Sequence, residues 1–391
     1  MSERDQMPGE RLPHYVNETP FDPNTVEQLS PQQERYYQAP EWRIVWWRFR
    51  RHRVAVWSAA FLIAMYVAVV VCEFLAPYNL HTRNIQHIYA PPQALHLFHE
   101  GEFIGPFVYG FDQKLNMETL SRVYTPNPDK VQPLRYFCRG DSYEFWGLFE
   151  SDLHLVCAAE GGTAFLFGTD RLGRDMLSRV IYGARISLTV ALIAVAISFV
   201  LGVVIGGAAG YFGGFVDALT LRTIEIIRSF PEIPLFMTLS ALLPVTWSPV
   251  GVFAGICVII GLLEWPGLAR AVRAKFLSLR EEDFTTAAQL MGASPARIIG
   301  RHLLPSFTSH LIASLTVSIP TAILGETALS FLGIGLRPPV TSWGVVLNEA
   351  QDPSVIAVYP WLLLPVIPLF LVVLAFNFLG DGLRDAADPY N

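Results

Sequence analysis

Long apolar runs constrain this chain more than any other feature of its sequence. A helix that crosses a bilayer needs about 20 predominantly apolar residues, because each residue rises about 1.5 Å through a hydrocarbon core about 30 Å thick. The clear runs are 54–76, 186–209, 307–324 and 361–379, and the weaker ones are 233–245 and 249–263. The sequence therefore predicts an all-α, polytopic membrane protein with about six transmembrane helices.

The composition agrees with this class and excludes others. Of the 391 residues, 52% are hydrophobic and only 16% are charged, whereas soluble domains carry about 25% charged residues. A net charge of −6 argues against a protein that neutralises phosphates, so we expect no nucleic-acid partner. Four cysteines are too few for a disulfide-dense scaffold. No metal-ligand spacing appears, and we expect neither a metal nor a cofactor.

Basic residues in the loops predict the orientation of the chain. Five arginines lie within 43–53, just before the first apolar run, and six lysines and arginines lie within 270–301. Because short cytoplasmic loops carry an excess of Lys and Arg, both segments should face the cytoplasm. With six spans, both termini are then cytoplasmic.

Four segments follow from these assignments. Residues 1–40 are polar and proline-bearing, which is typical of a disordered cytoplasmic tail. Residues 41–76 combine an interfacial helix of interleaved Trp and Arg with the first transmembrane helix. Residues 77–185 are predicted to form a long extracytoplasmic loop that ends in an amphipathic segment. Residues 186–391 hold the other five transmembrane helices.

The segment 280–305 predicts two short cytoplasmic helices joined by a sharp turn. Gly292 suits the left-handed residue that ends the first helix. Ser294 suits the N-cap of the second helix, and Pro295 suits its first position. Pro305 should limit that helix. A rigid pair of this kind either fits a groove on a partner or packs on its own protein, and both readings stay open.

The same segment resembles the signature loop of ABC-transporter permease subunits. That pattern reads Glu-Ala-Ala, three residues, Gly, nine residues, Ile, one residue, Leu-Pro. The matching positions are Ala287, Ala288, Gly292, Leu304 and Pro305. Two positions depart from the pattern, since Thr286 stands for Glu and His302 stands for Ile.

Further stretches resemble the dipeptide and oligopeptide branch of these permeases, specifically its C-type subunit. They are 168–185, 210–217, 329–335, 342–344 and 380–389. Together they extend the resemblance over about residues 165–391 and the first span.

The resemblance implies a membrane-spanning permease subunit of an ATP-driven, binding-protein-dependent importer. Such a subunit would lie in the bacterial inner membrane and translocate peptides by alternating access. Its partners would be a second permease subunit, two cytoplasmic ABC ATPase subunits, an extracytoplasmic substrate-binding protein and the lipid bilayer. The signature positions from Thr286 to Pro305 would couple to the ATPase. The chain has no Gly-x-x-x-x-Gly-Lys-Ser/Thr sequence, so we expect no ATP hydrolysis and no other catalysis by this chain.

Two other functions compete with this one. A self-sufficient secondary transporter or channel would use broken helices, which the two weaker runs permit. A membrane-embedded enzyme is disfavoured, because the His-Glu, Gly-x-Gly and Gly-Ala-Ser sequences each fail to complete a catalytic motif.

Small and ionisable residues in the spans are further candidates. Gly202, Gly206 and Gly210 lie four apart, which favours close helix packing, with a pathway lining as the alternative. Glu264 and Glu326 are ionisable groups in or near apolar runs, and they are candidates for the translocation pathway. The alternative is that each lies near one end of its run, where Glu264 reaches water or Arg270 and Glu326 does likewise.

The long loop carries two predictions of its own. Cys138 and Cys157 both lie in a compartment that permits oxidation, so a disulfide and two free thiols are equally open. Asp175 and Arg179 are four apart, which suits an ion pair on an amphipathic helix that lies on the membrane. The aromatic part of the loop would fold over the outer mouth or dock the binding protein.

Overall fold

The computed structural model describes residues 39–115, 117, 122–159, 161–244 and 246–387. The predicted tail lies outside this part of the chain except for its last two residues, and so do the final residues of the stretch 380–389. The described residues divide into two units, one up to Trp47 and one from Arg48 onward. The second unit contains every site described below.

Helices dominate the described residues. They are α1 (Glu41–Arg51), α2 (Arg53–Val70), α3 (Cys72–Leu75), α4 (Met176–Phe212), α5 (Gly214–Ser229), α6 (Glu232–Ala241), α7 (Pro249–Arg280), α8 (Asp283–Leu290), α9 (Pro295–Ile298), α10 (Thr308–Phe331), α11 (Trp343–Asn348), α12 (Pro353–Val358) and α13 (Val366–Ala387). Shorter 3₁₀ segments are Ile85–His87, Pro305–Phe307 and Pro360–Leu363, and a π-helical turn is Ile299–Leu303. The strands are β1 (His96–His99), β2 (Glu102–Leu115), β3 (Arg122–Phe145) and β4 (Phe149–Ala158).

Five of the described helical stretches are long and apolar enough to cross a membrane. They are Arg53–Val70, Met176–Phe212, Pro249–Arg280, Pro295–Phe331 and Pro360–Ala387. These stretches account for the four clear apolar runs and for the weaker run at 249–263. The other weaker run forms α6, which has ten residues and is too short to cross a bilayer alone. Its sequence explains the break, because Pro231 precedes α6 and cannot continue α5.

A four-stranded sheet between α3 and α4 makes the prediction of an all-α fold wrong. The strands pair antiparallel in the order β1-β2-β3-β4, within a segment that we call the loop domain (residues 77–175). The ladder shifts register between Tyr109 and Gly110 and again between Arg139 and Tyr143. Across the first shift β3 covers four residues and β2 only one, so the later side chains of β3 change face relative to β2 and the period-two pattern is interrupted.

Glycines bring α4 and α7 into close contact. Gly202, Gly206 and Gly210 all face α7. A β-carbon added at Gly206 would lie 2.8 Å from the Cα of Ala269, and one at Gly210 would lie 2.6 Å from the Cβ of Phe276. One added at Gly202 would meet a leucine side chain of α7 at 2.9 Å. These separations leave no room for a methyl group, so the two helices approach each other closely along this face.

The broken pair α5–α6 follows α7 in the opposite direction. At one end, Asp217 on α5 accepts a hydrogen bond of 2.6 Å from Arg273 Nη2 on α7. At the other end, Leu243 just after α6 lies beside Gly255 on α7. A β-carbon added at Gly255 would lie 2.8 Å from Cδ2 of Leu243. The two contact points are 18 residues apart on α7, which corresponds to about 27 Å of helix. The pair therefore runs along most of the length of a membrane-spanning helix.

Candidate functional site

The segment 280–305 folds as a helix, a turn and a second helix. Gly292 has φ of +79° and follows α8, as expected for a residue that ends a helix in the left-handed region. Ser294 Oγ accepts a hydrogen bond from the Arg297 backbone N–H at 3.4 Å, and Pro295 is the first residue of α9. The second helix is shorter than predicted. It passes through the π-helical turn and the 3₁₀ segment at Pro305 into α10.

One face of this pair is fixed to the protein's own spans. Thr285 Oγ1 donates a hydrogen bond of 2.8 Å to the Leu279 carbonyl near the end of α7. Ala288, three residues later, is 2% exposed. It belongs to an apolar cluster with Val272, Phe276, Leu279, Ile298, Leu303, Phe307 and Leu311. Of the two alanines in the signature pattern, Ala288 therefore faces α7 and α10.

The opposite face of the pair is open. Among the residues predicted to couple to an ATPase, Thr286, Ala287, Gly292 and Pro305 are exposed, His302 and Leu304 are half-buried, and Ala288 is buried. Leu290 and Met291, at the tip, are 85% and 81% exposed. Neither side chain is among the coupling residues predicted from the sequence. The sequence feature that could have identified them is an apolar pair directly before the helix-ending Gly292, on a different face of α8 from Thr285 and Ala288.

Glu326 joins three elements inside the bundle. Its carboxylate accepts hydrogen bonds from Ser187 Oγ on α4 and from Ser330 Oγ on α10, each at 2.8 Å. Ser187 Oγ in turn accepts from the Trp343 backbone N–H at 3.2 Å, where α11 begins. The glutamate is fully buried. In this conformation it therefore contributes to packing and polar satisfaction of the bundle.

Glu264 lies in a different environment. It lines a cleft of about 420 Å³ between α5, α7, α10 and α13. Four further ionisable side chains line the same cleft: Arg228, His310, Asp381 and Arg384. Ionisable groups within membrane spans ordinarily face the bundle interior or a water-filled cavity, and this set follows that rule. The analysis of the sequence did not predict His310, Asp381 or Arg384 as pathway residues, although Asp381 and Arg384 are three apart on one face of α13.

Buried ion pairs fix the beginning of α4. Asp170 Oδ2 lies 2.6 Å from Arg174 Nε and 2.7 Å from Arg179 Nη1. Glu349 Oε1 lies 2.9 Å from the same nitrogen of Arg179 and 3.1 Å from Arg174 Nη2. Two carboxylates and two guanidiniums therefore balance in charge, and they connect the start of α4 to the chain just after α11.

The predicted pair of Asp175 with Arg179 is wrong. Asp175 is the N-cap of α4, and its Oδ2 accepts hydrogen bonds from the backbone N–H and the Oγ of Ser178, both at 2.7 Å. Burial raises the pKa of Asp175 to about 6. The amphipathic helix expected here is also wrong, because these residues begin one continuous helix of 37 residues. A four-residue spacing cannot distinguish an ion pair from a cap with distant ionic partners.

A disulfide joins two strands of the loop domain. Cys138 on β3 and Cys157 on β4 are bonded, with their Cα atoms 6.2 Å apart. The other two cysteines, Cys72 and Cys257, are buried and free.

The loop domain is also fixed to the spans. His154 Nδ1 on β4 lies 2.6 Å from the Ala76 carbonyl, and Glu73 on α3 forms an ion pair with Arg185 on α4. The sheet is therefore joined to the end of α3, and an ion pair connects α3 to α4.

The apolar spans, the exposed helix–turn–helix between two of them and the charged cleft together define an integral membrane permease. Residues 202–390 match the family described as binding-protein-dependent transport system inner membrane component. Residues 41–92 match the N-terminal transmembrane domain of oligopeptide transport permease C. The chain belongs to this family of binding-protein-dependent inner membrane permeases.

Curated relatives agree with this assignment. A putative peptide permease protein of Brucella suis biovar 1 is 41% identical over 225 residues, which cover 57% of this chain and 72% of that protein. The dipeptide transport system permease protein DppC of Bacillus subtilis is 41% identical over 224 residues, covering 57% and 68%. The glutathione transport system permease protein GsiD of Escherichia coli O1:K1 is 31% identical over 366 residues, covering 94% and 95%.

Among solved structures, an inward-facing MetNI methionine ABC transporter matches with a TM-score of 0.41 and 23% identity. The match covers 55% of this chain and 98% of that one.

The family predicted from the signature positions is thus confirmed. This chain is a multi-pass inner membrane permease subunit of an ABC importer, and its family functions with ATPase and substrate-binding partners. Membership in a family of importer subunits also argues against a self-sufficient transporter.

Proposed function

We propose that this subunit carries short peptides inward across the bacterial inner membrane by alternating access. Its relatives are named as peptide, dipeptide and glutathione permeases. The observation that carries the coupling part of the proposal is the exposed tip of α8, held by buried contacts on the ends of two spans.

The third membrane crossing is assigned to α5 and α6 in tandem. Neither helix spans a bilayer alone, but together they follow about 27 Å of α7, close to the thickness of a hydrocarbon core. Six crossings then place α8 on the same side as the arginine-rich segment 43–53. The positive-inside rule makes that side the cytoplasm, so both termini are cytoplasmic and the loop domain is extracytoplasmic.

The cytoplasmic ATPase is assigned to the open face of α8. Thr286, Ala287, Leu290 and Met291 offer it a small, partly apolar surface. Apolar side chains that stay exposed at the centre of a patch are the usual anchors of a protein interface. A push on this face reaches α7 through the Thr285–Leu279 hydrogen bond and reaches α10 through the cluster around Ala288. Ala288 is therefore assigned the role of transmitting the movement of α8 to the membrane spans, and not of contacting the ATPase.

The translocation pathway is assigned to the charged cleft around Glu264. A zwitterionic peptide carries an ammonium and a carboxylate, and the cleft offers Glu264 and Asp381 to the first and Arg228 and Arg384 to the second. A second permease subunit, paired with this one as a heterodimer above two ATPases, would close the open side of the cleft. Glu326 is assigned a positioning role, because its carboxylate accepts hydrogen bonds from α4 and α10 and is connected to the start of α11 through Ser187.

Substitution at the tip of α8 tests the coupling assignment. Leu290→Asp with Met291→Asp places two charges where an apolar contact is proposed, so we expect ATPase association and peptide uptake to fall about tenfold or more, equivalent to about 1.4 kcal/mol. The subunit should still insert into the membrane, because both side chains are exposed. The assays are copurification of the ATPase and uptake of labelled dipeptide by proteoliposomes that contain the whole importer.

Asp129→Ala is the matched control, since Asp129 is an exposed side chain of the loop domain, on β3. Unchanged copurification and uptake in the double variant would contradict the assignment of α8 to the ATPase. Loss of ATPase binding together with retained uptake would contradict ATP-driven coupling through this face.

A further inference from the structure

The turn between β3 and β4 is attached to the end of a membrane span. Trp146 and Gly147 both have positive φ, 50° and 67°, which is typical of the tight turns that connect antiparallel strands. The indole Nε1 of Trp146 donates a hydrogen bond of 2.8 Å to the Val70 carbonyl, the last residue of α2. A carbonyl in the last turn of a helix has no intrahelical partner, and the tryptophan supplies one. Arg185 fixes the indole further, because its guanidinium lies 5.0 Å from the ring centroid.

The length of α2 gives the depth of this turn. Val70 lies 17 residues after Arg53, which marks the polar start of the helix, so the rise between them is about 26 Å. A hydrocarbon core is about 30 Å thick. The Val70 carbonyl, and the turn bonded to it, therefore lie at the boundary between hydrocarbon and headgroups at the far side of the membrane.

The turn carries exposed apolar side chains, and the exposed carboxylates of Glu144 and Glu150 flank it. Leu148 is 79% exposed and Phe149 is 59% exposed. Phe137 on β3 is 68% exposed, and its ring centroid is 6.1 Å from that of Phe74 on α3. A domain that lies wholly in water rarely leaves so many large apolar side chains together. Aromatic rings with a polar edge are enriched at membrane interfaces, where one part of the ring is apolar and the other is wet.

This apolar surface continues the lipid-facing surface of α2. Val67 and Val70, on the last turn of α2, are also exposed. The hydrogen bond between Trp146 and Val70 places the turn beside these two valines, so the apolar side chains of the span and of the turn lie next to each other. Lipid that covers the end of α2 therefore reaches the turn as well.

We propose that the β3–β4 turn, residues 146–149, is a membrane-dipping anchor whose occupant is lipid at the acyl–headgroup boundary of one leaflet. The anchor fixes the loop domain against the bilayer at the end of the first span. It requires only that α2 crosses the membrane, so it stands independently of the substrate and of the coupling assignment.

Site-specific quenching tests this anchor in the complete importer. A bimane fluorophore is attached to Leu148→Cys, to Phe149→Cys, or to Asp129→Cys as the matched control on an exposed, charged position of the same sheet. Signal from the parent chain, whose free cysteines are buried, is subtracted. The complexes are placed in phosphatidylcholine–phosphatidylglycerol nanodiscs whose lipids carry a doxyl quencher at acyl carbon 5 or at carbon 12, and iodide serves as the aqueous quencher.

Severalfold stronger doxyl quenching at positions 148 and 149 than at position 129 is the expected result, with carbon 5 more effective than carbon 12. Iodide should quench the two turn positions less than the control. Doxyl quenching at the turn no greater than at position 129 overturns the proposal. If the turn is then accessible to iodide, it lies in water, and if it is protected from both quenchers, another protein covers it.

Discussion

The contact of α4 with α7 at Gly206 gives a direct test of the membrane bundle. Gly206→Ala adds a β-carbon 2.8 Å from the Cα of Ala269, whereas packed carbon atoms lie about 3.5–4.0 Å apart. The two backbones must therefore separate by about 0.7 Å or more at this point. Overpacking of this kind costs about 1–3 kcal/mol. Gly325→Ala on α10 is the matched control, because its added β-carbon has its nearest neighbour, a ring atom of Phe236, at 4.0 Å.

Both substitutions gain about 1 kcal/mol of helix propensity, so the difference between them isolates the packing term. We expect Gly206→Ala to be less stable than Gly325→Ala by about 1–3 kcal/mol. The measurement is the midpoint of unfolding of the purified full-length subunit in mixed micelles, titrated with sodium dodecyl sulfate. Equal midpoints for the two variants would refute a backbone contact between α4 and α7 at this position.

Three further substitutions address the turn of the coupling segment, the buried ion pairs and the loop domain. Gly292→Pro replaces a residue at φ +79° with one fixed near −65°, so uptake should be abolished while membrane insertion persists; normal uptake would count against the coupling role. Arg179→Leu leaves two buried carboxylates with one cation and should lower the free energy of unfolding by about 3 kcal/mol. Arg171→Leu, at an exposed position, should lower it little. Similar unfolding midpoints for the two variants would contradict the ion-pair network. Burial lowers the pKa of His87. The unfolded chain therefore takes up a proton at a higher pH than the folded chain does, and the loop domain should lose stability as pH falls through about 6.5. His87→Gln should flatten the pH dependence of the thermal midpoint, and an unchanged slope would contradict this role of His87.

The membrane spans were predictable because hydropathy over about 20 residues is a strong and local signal. The clear runs correspond to helices of sufficient length, and the weaker run at 249–263 extends to Arg280 in one helix. The third crossing that we propose for α5 and α6 is not visible as a single apolar run. Pro231 interrupts it, and the preceding helix carries charges such as Asp217, whose partner lies on α7. A pairing with another helix leaves no local trace in the sequence.

The turn at Gly292 was predictable in outline, because glycine, serine and proline each carry a local conformational preference. The sequence does not predict which face of α8 is buried. Ala287 and Ala288 are identical in type, and only the packing of α8 on α7 and α10 separates an exposed residue from a buried one.

The loop domain was the least predictable part of the chain. Its strands carry the β-branched and aromatic residues that are common in sheets, but the register shift between β2 and β3 interrupts the alternation that would identify them. The turn between β3 and β4 contains Gly147, but a tryptophan before a glycine is not among the dipeptides that identify a hairpin turn. The partners of Arg179 lie 9 residues before it and 170 residues after it, and spacing along the chain cannot reveal the second of these.

The continuous helix α4 has a mechanical consequence for the importer. Its 37 residues extend about 55 Å, almost twice the thickness of the hydrocarbon core. Buried ion pairs hold one extremity, and at the other the Tyr211 carbonyl accepts a hydrogen bond of 3.3 Å from Arg280 Nη1. A stiff lever of this length that pivots by 5° about its centre displaces its two extremities by about 2.4 Å in opposite directions. Opening at one side of the bilayer is then accompanied by narrowing at the other, with no residue along the lever changing its own conformation.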